Sequence, residues 1–197
     1  MNVNSEKITI INKVITKENT NENTNENIKV IQCCNNNSYN RGIEQCGVIL
    51  LNGSSYPLVL LVHQEESKKW GLPKGHLTDR EKLNKDYYFC AKRELFEETG
   101  IMLSTNKHRR YSTLLLNKKL FYVVQMFKEY IYVQPIDKNE ISGYVWYPIL
   151  ELDQFIKKNN CNRTIKDLEN VMYNVKCKIK NNPNIFGAKN IVGKYLT

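Results

Sequence analysis

The sequence lacks any run of 18 apolar residues, and its N-terminus has no short apolar core behind a basic start. Neither a membrane-spanning helix nor a secretory signal is therefore predicted. Six cysteines are present, at positions 33, 34, 46, 90, 161 and 177, but no pair has C-x-x-C spacing and no regular interval recurs. That excludes a zinc-ribbon pattern and a disulfide framework, and predicts a reducing, cytoplasmic setting. Histidine is scarce: of three, His63 and His76 stand at no metal-like spacing, so neither is assigned a ligand role.

What the sequence has is length for one domain, at 197 residues, and a net charge of +9 that is unevenly placed. Residues 1–45 carry five basic and five acidic side chains, residues 46–155 carry 15 and 13, and residues 156–197 carry nine and two. The surplus of seven positive charges in the last segment suits contact with a polyanion such as RNA, or serves solubility alone. Lys176, Lys178 and Lys180 alternate by two, which does not make a single helical stripe.

Residues 1–42 read as a polar, Asn-rich arm, partly disordered, because "KENTNENTNEN" and "NNNSYN" offer little to bury. Within it "KITIINKVI" is compatible with an edge strand. Residues 43–197 read as the domain proper, with a basic helical segment at its C-terminal end. "CGVILLNG" and "YPLVLLVHQ" are β-rich apolar runs joined by Asn-Gly-Ser-Ser, the signature of a hairpin. Further strands are predicted at "RYSTLLL", "KLFYVVQMFKEYIYV" and "GYVWYPI", a short helix from about Leu150 and a longer one over 164–180. The fold class is α/β without the regular alternation of a doubly wound sheet.

One helix stands out. "KRELFEETG" places Glu94, Glu97 and Glu98 at i, i+3 and i+4, on one face of a helix predicted from Asp86 to Thr99 and stopped by Gly100. Tyr88, Ala91 and Leu95 form one apolar side of that helix and Phe89 and Phe96 another, so both sides are expected to be covered with the carboxylates emerging between them. Like charges at this spacing repel, and a hard divalent cation with oxygen ligands would offset the repulsion. A solvated acidic face with Arg93 as a surface partner is the alternative. Upstream, "KKWGLPKGHL" has two glycines and a proline in a loop able to bring backbone close to a ligand. Cys90, inside the helix, reads as a small buried thiol, and Trp70 and Trp146 read as core residues before stacking platforms.

Taken whole, "WGLPKGHLTDREKLNKDYYFCAKRELFEETGI", residues 70–101, resembles the Nudix hydrolase signature: a glycine, five residues, a glutamate, seven residues, then R-E-U-x-E-E-x-G-U with U aliphatic. Arg93, Glu94, Leu95, Glu97, Glu98, Gly100 and Ile101 match the second half without a gap, and Gly75 with Glu81 matches the first. The departure is an interval of 11 residues between Glu81 and Arg93, four more than the signature has; counting back from Arg93 places Lys85 at the glutamate position instead. Thr78 and Glu81 also form an S/T-x-x-E capping box, so Glu81 has a local role open to it as well as the family one.

The resemblance implies a Nudix-type α/β/α sandwich with a mixed sheet, binding Mg²⁺ or Mn²⁺ against a diphosphate. It implies Glu97 and Glu98 as principal metal ligands, Glu94 as ligand or base, and the Gly75 carbonyl as a further ligand. Glu81 and Arg93 would support the geometry, and Lys74 would reach a substrate phosphate. Some members take their general base from a later loop; Glu140, ahead of "ISGYVWYPI", occupies that place in this sequence.

The expected substrate is a nucleotide or a capped RNA. "WGLPKGHL" is similar to diadenosine tetraphosphate hydrolases and, with "CAKRELFEETGI", to mRNA decapping enzymes. Decapping is favoured by the basic C-terminal segment, a small-nucleotide hydrolase by the short chain. A non-catalytic nucleotide- or RNA-binding module is the alternative of another class.

Overall fold

In the computed structural model the described residues are 28–31, 42–53, 56–103, 112–127, 130–136 and 139–181. The strand expected within residues 7–15, the Asn-rich repeat at 17–27 and the segment 182–197 lie outside them.

The central strand is β2 (Gln45–Asn52), whose residues 46–51 are all buried. It runs parallel to β7 (Lys119–Met126) along its whole length, from Gln45↔Lys119 to Asn52↔Met126. β7 is followed outward by β6 (Ser112–Leu116) and β1 (Ile28–Ile31), each antiparallel to its neighbour. β1 was not expected as a strand; it falls inside the stretch read as the polar arm. Beyond the other edge of β2 stand β3 (Leu58–Gln64) and β4 (Lys69–Gly71), with β8 (Ile141–Pro148) on β3. The sheet is mixed, as expected from its irregular α/β order.

Side chains of β2 alternate between two cores. Cys46, Val48 and Leu50 pack with Cys90, Ala91 and Leu95 of a helix on one face. Ile49 and Leu51 pack with Ile149, Leu152, Phe155, Ile165 and Leu168 on the other. That second layer is a 3₁₀ turn at Ile149–Glu151, α3 (Leu152–Lys158) and α4 (Arg163–Asn181). Helices on both faces of a sheet make the α/β/α sandwich.

The feature that positions the site is a split in the sheet. β2 and β3 pair only at Leu51↔Val59 and Asn52↔Leu58. Further along, β4 pairs with β3 through Val62↔Gly71, and β5 (Lys74–His76) pairs with β2 through Cys46↔Gly75. Leu72 and Pro73 carry the chain across the gap, and the Val48 amide donates to the Pro73 carbonyl at 3.0 Å. The loop "WGLPKGH" is thus held as a wedge between two core strands.

The carboxylate-bearing helix, α2 (Tyr87–Thr99), begins at Asp86 and ends at Gly100, whose φ of 72° is left-handed, a conformation that favours glycine at the end of a helix. Two expectations about its surroundings are corrected. Phe89 and Phe96 are not covered; they are 61% and 38% exposed, because only the Cys90–Ala91–Leu95 side meets the sheet. The strand predicted to continue to residue 133 stops at Met126. Residues 130–136 instead run past the end of α2, where Gln134 and Ile136 amides donate to the carbonyls of Thr99 and Glu97 at 2.9 and 3.0 Å. Those carbonyls have no partner within the helix, so the segment serves better as a cap than as more sheet.

Candidate active site

The extra residues between Glu81 and Arg93 fold into a short helix of their own, α1 (Asp79–Asn84). Thr78 starts it: its Oγ1 accepts from the Glu81 amide at 3.2 Å, and Glu81 Oε2 accepts from the Thr78 amide at 2.8 Å. Lys85 ends it in a left-handed conformation, φ 56°, which turns the chain so that α2 can restart at Asp86. Lys85 itself is exposed. Glu81, in contrast, is 4% exposed.

Glu81 meets Arg93 as well as closing the capping box. Its carboxylate accepts from Arg93 twice, Nε to Oε1 and Nη2 to Oε2, both at 3.1 Å. Burial would raise the Glu81 pKa, but the hydrogen bonds from Arg93 and Thr78 outweigh it and hold the carboxyl below its ordinary value. Arg93 spends its remaining donors on the site: Nη1 donates to Glu94 Oε1 at 2.7 Å and to Glu97 Oε2 at 2.8 Å, and Nη2 to the His76 carbonyl at 3.0 Å. One planar guanidinium thus ties α1, the wedge loop and two of the three carboxylates of α2.

Glu94 and Glu98 point under the loop. Both are buried, at 8% and 5% exposure. A Cβ on Gly75 would overlap the Glu94 carboxylate, so the close approach needs glycine. Glu98 Oε2 accepts from the Lys74 amide at 3.1 Å. Burial pushes the Glu98 carboxyl up to about 8, opposed by the charge and amide of Lys74 and reinforced by Glu94 and Glu140. Glu94 is raised by burial, with Arg93 opposing and Glu97 and Glu140 adding to the rise. Lys74, 9% exposed, is lowered by its own burial against the attraction of Glu98.

Glu140 is therefore within electrostatic reach of Glu94 and Glu98, although it lies over forty residues beyond them in sequence. It sits exposed just before β8, and its carbonyl accepts from the Glu65 amide at 2.7 Å. Of the residues singled out from the sequence, Lys74, Gly75, Glu81, Arg93, Glu94, Glu97 and Glu98 are joined by direct contacts, and Glu140 is linked to them by charge. Cys90 is fully buried beside Gly75, with its Sγ 3.9 Å from the Gly75 carbonyl oxygen. Its partner Cys46 has its thiol pKa raised by a hydrogen bond to Cys90 and by burial. Trp70 packs edge-on to Phe155 at 5.4 Å, a core contact as expected.

The donor set suits a hard cation in kind: carboxylates and a backbone carbonyl, with no imidazole or thiolate aimed at the carboxylates. Among the described residues no three acidic, histidine or cysteine groups are placed together to hold a metal ion. Arg93 Nη1 lies between Glu94 and Glu97 instead. Mg²⁺ and Mn²⁺ take oxygen ligands of this kind and keep water and substrate oxygens among them.

A family model described as NUDIX domain matches residues 44–168. The chain is 28% identical over 132 residues to mRNA decapping complex subunit 2 of Schizosaccharomyces pombe, which covers 66% of this chain and 17% of that protein. A relative from Invertebrate iridescent virus 3 is 27% identical over 114 residues, 58% of this chain and 63% of that one. The chain thus spans less than two thirds of either relative. Among solved structures, a C. elegans Ap4A hydrolase binary complex superposes with a TM-score of 0.47 at 17% identity, over 70% of this chain and 99% of that one.

Proposed function

The chain belongs to the Nudix hydrolase family, and from that premise we propose that it is a pyrophosphohydrolase, dependent on Mg²⁺ or Mn²⁺, that cleaves a phosphoanhydride in a nucleoside diphosphate-linked substrate. The observation that carries this reading is the pair of buried carboxylates, Glu94 against Gly75 and Glu98 on the Lys74 amide, with their ionisation held back by burial. Such a pair gains most from a cation.

In this reading Glu97, Glu98, Glu94 and the Gly75 carbonyl hold the metal. When bound, the metal lowers the pKa of a water and spreads the charge of the phosphate oxygens. The chain's own residues do the rest. Arg93, braced by Glu81, holds Glu94 and Glu97 in place, and Lys74 attracts a phosphate into the gap of the sheet. The proton of the attacking water goes to a carboxylate, Glu94 or Glu140.

The preferred substrate is the mRNA 5′ cap, supported by the seven surplus positive charges of residues 156–197 and by the sequence likeness to a decapping subunit over two thirds of this chain. A dinucleoside polyphosphate is the second reading. It is favoured by α4, whose Ile165, Leu168, Val171 and Met172 are buried in the core, which makes the first half of that basic segment part of the domain itself. The three carboxylates at one edge of α2 argue against a non-catalytic binding module. No helix among the described residues is long and apolar enough to cross a membrane.

The test is a substrate panel with product identification: capped RNA, dinucleoside polyphosphates, nucleotide sugars and diphosphoinositol phosphates, each with Mg²⁺ and with Mn²⁺. Release of a nucleoside diphosphate from capped RNA is the expected result. The absence of metal-dependent hydrolysis across the panel overturns the enzyme reading.

A further inference from the structure

The last strand of the sheet presents an aromatic side chain to solvent on the face that carries the carboxylate helix. Among the described residues β8 pairs with β3 alone, and its side chains alternate between the two faces. Val145 and Tyr147 pack into the core under α3 and α4, where the Tyr147 and Phe155 ring centres are 4.8 Å apart. Trp146 turns the other way and packs against the cluster that holds Cys90, Ala91 and Leu95 of α2. Tyr144, two residues back along the strand, shares the face of Trp146, yet it is 46% exposed.

The register sets this face beside the wedge loop. Trp146 stands opposite Leu60, a member of the α2 cluster, and Tyr144 stands opposite Val62, whose other neighbour is Gly71 of β4. Directly paired residues point to the same face of a sheet, so Tyr144, Val62 and Gly71 form one row across three strands. Two strand spacings put the Tyr144 backbone about 10 Å from that of Gly71. From Gly71 the chain runs into the loop whose Lys74 amide donates to Glu98 and whose Gly75 lies against Glu94. A diphosphate held at those carboxylates and a ring in this row are separated by a gap that a ribose and its base can span. Val62 and Leu60 are fully buried, so the row rests on a packed floor, and the exposed ring offers an apolar face in a fixed place.

We propose that Tyr144, with Trp146 beside it on the same face of β8, is the platform on which the base of the substrate stacks. This rests on the hydrolase reading above for the position of the diphosphate. Stacking accepts any base, because every base has a π-face. The platform therefore selects diphosphates that carry a nucleoside over diphosphoinositol phosphates, which carry none, and does not select one base over another.

The experiment uses the full chain with Mg²⁺ and two ligands that resist hydrolysis and differ only by the nucleoside, α,β-methylene-ADP and methylenediphosphonate. Calorimetry measures both on wild type, Tyr144→Ala and Tyr144→Phe, with thermal unfolding of each as the folding control. Expected is a loss of roughly tenfold in α,β-methylene-ADP affinity for Tyr144→Ala, a change within about twofold for methylenediphosphonate, and wild-type affinity for both in Tyr144→Phe, which keeps the ring. The platform is overturned if wild type gains nothing from the nucleoside, if Tyr144→Ala loses the two ligands equally or neither, or if Tyr144→Phe loses as much as Tyr144→Ala. Kinetics separate the two levels. If wild type hydrolyses none of the panel while the nucleoside-dependent gain requires the Tyr144 ring, the hydrolase reading fails and the platform stands. If wild type hydrolyses a nucleotide and Tyr144→Ala leaves its KM unchanged, the platform fails and the hydrolase reading stands.

Discussion

Arg93 and Glu81 meet through two parallel hydrogen bonds of 3.1 Å, across an interval four residues longer than the family signature has. The insertion is absorbed by α1 and the left-handed Lys85, and the pairing survives. Breaking a buried ion pair by removing one partner costs about 3–5 kcal/mol; Glu81→Gln keeps some hydrogen bonds, so a loss of about 1–3 kcal/mol is expected, with a roughly tenfold fall in kcat as Arg93 loses its brace. Lys85→Ala, at the position that simple counting would choose, should leave kcat within about twofold. Urea unfolding and steady-state kinetics of the two variants check both statements.

Gly75→Ala places a methyl group where the Glu94 carboxylate now lies. Either the loop or the carboxylate must shift, and catalytic geometry tolerates little displacement, so kcat should fall by about 10²-fold or more. The fold should persist, because the loop's anchor from Val48 to Pro73 is untouched. Activity assays paired with circular dichroism decide this.

Metal-free stability should fall as pH rises. Glu98 is raised from 4.5 to about 8 by burial, and Glu94 is raised too. For such groups the folded state holds the proton more tightly than the unfolded one. The stabilising contribution of Glu98 is complete below pH 4.5 and is lost as pH rises through about 8, and that of Glu94 changes in the same direction. Thermal unfolding in EDTA should show a midpoint that declines over this window. Glu98→Gln should flatten the decline, and Mg²⁺ should reverse it by binding the ionised carboxylates.

Glu140 reaches the buried carboxylates by charge and lies just before β8, on a different element from the helix that carries them. As a base rather than a ligand, it should matter to kcat and not to metal affinity. Glu140→Gln is expected to lower kcat by about 10²–10⁴-fold while Mn²⁺ binding, followed by electron paramagnetic resonance, stays as in wild type. A drop in Mn²⁺ affinity would make Glu140 a ligand instead.

The readable parts of this molecule in its sequence were those written in local chemistry. The apolar runs of β2 and β3, the helix bounded by Asp86 and Gly100, and the i, i+3, i+4 carboxylates all follow from short-range pattern. What was not readable depends on partners distant in sequence. Residues 130–133 look like strand, yet the adjoining Gln134 and Ile136 amides are drawn to open carbonyls at the end of α2. The helix pattern marks Phe89 and Phe96 as apolar, but cannot say that only one side of α2 meets the sheet.

The central claim is that the helix carboxylates serve a metal that performs phosphoanhydride hydrolysis. It is tested most directly by comparing wild type with Glu98→Gln on the best substrate of the panel, across a Mg²⁺ titration, after circular dichroism has shown both to be folded. The predicted result is metal-dependent hydrolysis by wild type and a loss of about 10²-fold or more in kcat for the variant. Equal rates in the two proteins, or hydrolysis unaffected by EDTA, would contradict the account.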